Sequence, residues 1–131
     1  MAKTSDDLRS PLSRARGLGS AKDGVHHFWV QRVTALALIP LALWFAFSVA
    51  MLAAGPADFY AVRHWVSAPS VAVVLVLFLA TAVYHSVLGV QEVIVDYAVG
   101  SLRLALLLLS KMLHAVIAAA AIFAVLKIAL A

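Results

Sequence analysis

Three long apolar stretches leave this chain little choice of fold. A helix needs about 20 consecutive apolar residues to cross hydrocarbon, and residues 33–54, 66–91 and 102–129 all reach that length. The first two contain no Asp, Glu, Lys or Arg up to Gly89; the third is interrupted by Lys111 and His114 and closes at Lys127. Strands are a poor alternative, because a membrane barrel needs many segments of alternating polarity and these runs are continuously apolar. Composition agrees. The chain is 65% apolar and 12% charged, against about 45–50% and about 25% in ordinary soluble domains. A soluble fold of 131 residues has too few charges to cover that much apolar surface. The expectation is an all-α integral membrane protein with three transmembrane helices. A polar arm (residues 1–23) precedes the membrane domain (residues 24–131).

Charge placement sets the expected orientation. Lys3, Arg9, Arg14, Arg16, Lys22 and Arg32 precede the first span, and Arg103, with Lys111 nearby, follows the second. The first loop has only Arg63, and the far end Lys127. The positive-inside rule then puts the N-terminus and second loop in the cytoplasm and the C-terminus in the periplasm of an inner (cytoplasmic) membrane protein. The net charge of +4 is thus a topology signal. No interleaving of basic and aromatic residues points to nucleic acid. Absence of cysteine excludes a cysteine-ligated iron–sulfur cluster, a zinc–thiolate site and a disulfide within this chain. A cleaved signal peptide is not expected, since the first apolar run starts beyond residue 30 and is too long for one.

Residues 1–23 offer almost nothing to bury and alone would not fold; an arm lying along a soluble partner and an idle tail are both open readings. Gly24 to Thr34 mixes aromatic and polar groups, as at a membrane boundary. Pro40 inside the first span predicts a mild kink. Residues 53–69 form the outer loop, with Gly55-Pro56 as turn punctuation and Pro69 near the start of the second helix.

The chemistry is concentrated between His85 and Tyr97. On a helix His85, Gly89, Glu92 and Asp96 fall within about 60° of one another, a polar stripe that should face protein or cofactor rather than lipid. His85 lies roughly 16 Å along the axis from Asp96, deep in hydrocarbon, with Asp96-Tyr97 at the cytoplasmic rim. A buried imidazole can bond a neighbouring helix or ligate a metal. Gly89, one turn on, permits close approach of a flat macrocycle or simply of another helix. Tyr97 suits an interfacial belt as well as a binding site, and Asp96 suits a helix end.

The spacing His85, Gly89, Asp96, Tyr97 resembles the signature of the small hydrophobic membrane anchor, the smaller cytochrome b-type component, of succinate dehydrogenase, respiratory complex II. Gly24-Val25-His26 followed by Arg32 and Thr34-Ala35 resembles that family's approach to its first helix. The resemblance covers residues 24 to about 100, the three-helix plan and the chain length.

The resemblance implies that His85 is an axial ligand of a haem b shared with a larger cytochrome b anchor subunit, and that Tyr97 hydrogen-bonds a carbonyl of ubiquinone, the substrate. Asp96 would stand beside it in proton delivery, and Arg32 and His26 near the haem propionates and quinone pocket. His27 departs from the pattern, some relatives having an acidic residue there. FAD and iron–sulfur clusters would belong to partner flavoprotein and iron–sulfur subunits, where succinate is oxidised. His114 stands at a depth similar to His85 on the neighbouring helix; it reads as packing polarity, although a haem held between the two is geometrically conceivable. Lys111 can snorkel to the rim. Two other readings stay open: the anchor of a fumarate reductase, or a purely structural small membrane subunit.

Overall fold

The computed structural model describes Leu12 and residues 23–131; the polar arm otherwise lies outside the described residues. The chain divides into two compact units, one ending at Val30 and one covering Gln31–Ala131. Among the described residues there are four helices: α1 (Asp23–Ala53), α2 (Phe59–Ser67), α3 (Pro69–Tyr97) and α4 (Gly100–Ala129). Three of them, α1, α3 and α4, are long and apolar enough to cross a membrane. At 29 and 30 residues, α3 and α4 extend about 44 Å, beyond the roughly 30 Å of a bilayer's hydrocarbon.

In the first unit, the opening turns of α1 bring Phe28 and Trp29 edge to face, with ring centroids 6.1 Å apart. The helix thus starts well before the apolar run at Val33, and what reads as a boundary segment is helical. It continues through Pro40 and stops before Gly55-Pro56.

In the second unit, the outer connection holds a helix where the sequence suggests only a loop. The Asp58 Oδ1 accepts the Ala61 N–H at 2.8 Å, satisfying one of the donors that every helix N-terminus leaves open. The α2 helix ends at Ala68, whose φ of −65° and ψ of 124° are extended. The cause is Pro69, whose ring disfavours the helical region for the residue before it. Pro69 itself occupies the first turn of α3, where its missing N–H costs nothing. The α3 helix therefore begins at Pro69 and runs to Tyr97.

Ala98 and Val99 are both extended, and Gly100 turns the chain at a φ of +59°. Two residues and a left-handed glycine suffice to reverse the direction, so α3 and α4 pack as an antiparallel hairpin. The α1 helix meets α3 through Phe45, which stacks on Phe78 at 5.0 Å, and α2 through Trp44, which stacks on Trp65 at 6.0 Å. Few residues are fully covered. Val66, Ala72, Leu75, Leu88 and Ala98 make up the buried apolar set, with Ser110 the buried polar residue.

Candidate functional site

His85 lies near the middle of α3, about 24 Å from its first residue and about 18 Å from its last at 1.5 Å per residue. The Thr34 Oγ1 on α1 approaches its Nδ1 at 2.9 Å. That same hydroxyl donates to the Gln31 carbonyl one turn back at 3.0 Å. A hydroxyl has one proton, so with that proton on Gln31 it accepts from Nδ1–H of the ring. The Nε2 then has a bare lone pair and, among the described residues, no hydrogen-bond partner. Because Thr34 meets His85 and Phe45 meets Phe78, positions climb α1 as they descend α3, and the two helices are antiparallel.

The next residue points elsewhere. A step of about 100° along the helix turns Ser86 toward α4, where its Oγ lies 3.1 Å from His114 Nε2. The His114 Nδ1 lies 2.7 Å from the Ser110 carbonyl, which can only accept, so in the neutral ring Nδ1 donates there and Nε2 accepts from Ser86. Both nitrogens of His114 are satisfied inside the chain. Lys111 is exposed beside it, and the two line a shallow groove with Tyr84, Val87 and Ala115.

The rest of the stripe follows the expected face of α3. A Cβ on Gly89 would meet nothing within 4 Å, so the chain's own packing does not require glycine there and the flank beside His85 is open. Glu92 and Arg32 are exposed and each is engaged in an interaction. Asp96 and Tyr97 end α3, and Tyr97 is 86% exposed; among the described residues neither side chain has a hydrogen-bond partner. They stand far along the axis from His85, so the structure does not bring them together with it. His26 is exposed in the first unit. No three His, Cys, Asp or Glu side chains converge among the described residues as a protein-enclosed metal ion would require. The ligand chemistry on offer is a single imidazole, which suits a macrocycle-bound metal.

Fold and site define a multi-pass α-helical membrane protein with an imidazole held at mid-span. The chain belongs to the succinate dehydrogenase/fumarate reductase transmembrane subunit family, which it matches over residues 6–127, and the likeness read from His85, Gly89, Asp96 and Tyr97 is borne out at that level. It is 35% identical over 91 residues to the succinate dehydrogenase hydrophobic membrane anchor subunit of Rickettsia bellii, covering 70% of this chain and 71% of the relative. It is 31% identical over 121 residues to the protein of that name from Paracoccus denitrificans, covering 92% of each. No solved structure matches it significantly.

Proposed function

We propose that the chain is the membrane anchor of a succinate:ubiquinone oxidoreductase, supplying part of a haem b site and part of a ubiquinone site. The observation that carries this reading is the unpartnered Nε2 of His85 in the middle of a spanning helix, beside the open flank of Gly89. Family membership and the relatives' names support it.

These residues fit a haem. His85 would hold the iron through Nε2, in the neutral form that ligation requires. Gly89 leaves room for a flat ring edge, and the Arg32 guanidinium is a cation suited to a propionate. When bound, such a haem carries single electrons.

Reduction of ubiquinone takes two electrons and two protons. The Tyr97 phenol would donate a hydrogen bond to a quinone carbonyl oxygen, drawing electron density onto it as charge builds up. The Asp96 carboxylate, exposed beside it, would pass protons in from water. With neither cysteine nor a dinucleotide-binding motif, this chain leaves succinate oxidation to flavoprotein and iron–sulfur partners, which the anchor docks to the membrane. A larger anchor subunit completes the haem. The excess of Lys and Arg before the first span supports a cytoplasmic N-terminus and a periplasmic C-terminus in the inner membrane.

The matched family also includes fumarate reductases, so the same anchor can serve the reverse reaction; the potential of the bound quinone separates the two. The test is the optical spectrum of the purified complex. A b-type haem band present in the wild type and lost in His85→Ala supports the reading. An unchanged spectrum removes it and leaves a structural membrane subunit.

A further inference from the structure

We infer that Thr34 is the positioning residue of His85: its hydroxyl fixes the tautomer and rotation of the ring so that Nε2 is the nitrogen offered to a metal. This rests on the reading of His85 as a haem ligand. It adds a residue on another helix, and a physical role that the His85 site lacks without it.

The geometry is a directed chain of two hydrogen bonds. The Nδ1–H of His85 donates to Thr34 Oγ1 at 2.9 Å, and Thr34 O–H donates to the Gln31 carbonyl at 3.0 Å. Each proton has an acceptor. Reversing the chain, with the hydroxyl donating to Nδ1, would move the ring proton to Nε2, where no acceptor stands among the described residues, and strand an N–H in an apolar span. Donation from Nδ1–H is therefore the favoured direction, and it makes Nε2 the lone-pair end.

Two further features suit Thr34 to this task. A threonine in a helix keeps its hydroxyl near the carbonyl of the preceding turn, so the acceptor lone pair is held in one direction before the ring arrives. The bond also crosses between helices, tying α1 to the middle of α3. An acceptor on the distal nitrogen raises ligand basicity, which favours the oxidised metal. Removing it should make the metal easier to reduce.

The test uses the assembled complex with Thr34→Val, which keeps the shape and deletes the hydroxyl, and Thr34→Ser, which keeps the hydroxyl. The readouts are the midpoint potential of the b haem by redox titration and its low-temperature EPR spectrum. At the wild-type midpoint, Thr34→Val should shift the reduced-to-oxidised ratio severalfold toward reduced, a tenfold shift being about 59 mV for one electron, and alter the EPR signal. Thr34→Ser should restore both. Should Thr34→Val prevent assembly, Thr34→Ala is read in the same way. Potential and EPR unchanged without the hydroxyl, while His85→Ala loses the haem, would overturn the role of Thr34 and spare the haem reading. A wild-type complex without a b-type haem would overturn both.

Discussion

An imidazole inside hydrocarbon has two nitrogens to satisfy and only helix side chains and carbonyls to do it with. His114 satisfies both, through the Ser110 carbonyl and the Ser86 hydroxyl, and so fastens α3 to α4. His85 satisfies one, through Thr34, and keeps the other open. The distinction between the two rings is invisible in the chain's pattern, because both are single histidines in apolar runs at similar depth. What the pattern does make legible is the stripe: an imidazole, a glycine and two acids recurring on one side of an apolar helix need a reason. Thr34 could not be singled out that way. A threonine is ordinary in a membrane helix, and its role rests on a neighbour 51 positions away. At the rim the prediction concerns Tyr97, exposed and without a hydrogen-bond partner among the described residues. Tyr97→Phe deletes one hydroxyl from a surface where it bonds nothing among the described residues, so assembly should be unaffected. On the proposed reading, quinone reduction falls by about ten- to a hundredfold, the loss of one charge-stabilising hydrogen bond of about 1.5–3 kcal/mol. Succinate oxidation by an artificial acceptor stays at wild-type rate. Equal loss of both activities would mean failed assembly and would count against a quinone contact.

Among the elements, the three long helices were readable from hydrophobic run length because lipid imposes one rule on every spanning segment. Their ends were not. The α1 helix starts at Asp23, within a polar and aromatic segment whose helicity no apolar run announces, and α3 continues to Tyr97 although its last turns carry Gln91, Glu92 and Asp96. Run length reports where lipid begins, whereas helices end where the backbone changes direction. The α2 helix escaped for a related reason: nine residues between a turn and a proline read as a loop by length. The cap at Asp58 and the stop at Ala68-Pro69 are legible once the helix is known. The sharpest such point is Gly100, at a φ of +59° with open space around its Cα. Space is not the constraint there; handedness is. Gly100→Ala should destabilise the α3–α4 hairpin by about 1–2 kcal/mol, the usual penalty for a side chain in the left-handed region, and Gly100→Asn should cost less because asparagine tolerates that conformation. Denaturant unfolding of the complex in detergent measures both. An alanine variant as stable as the wild type would show that the turn readily adopts another conformation.

On the scale of the whole molecule, the described residues bury little of their apolar surface. No side chain among them is fully buried, and large apolar residues stand exposed on all three long helices, including Leu36 and Phe47, Val73 and Leu77, and Leu109 and Phe123. Lipid can cover such faces, but it has no use for the polar stripe of α3, which needs protein or cofactor against it. The histidines of the second unit make the same point. His114 has no free nitrogen, and His64 lies on α2, at the end of α3 about 24 Å along the axis from His85. A haem held through two histidines therefore has to take its second ligand from outside this unit, and the proposed reading draws it from a partner anchor subunit. The chain expressed without the other subunits should insert, since each span can form its own backbone hydrogen bonds in lipid. It should carry no b-type absorbance and turn over several times faster than in the complex, its stripe open to lipid. Coexpression with the other subunits should restore both properties. Spectra of isolated membranes and a pulse-chase of the tagged chain decide the matter, and a stable, haem-loaded protein obtained from this chain alone would end the shared-site reading while leaving the three spans and the Thr34–His85 bond as they stand.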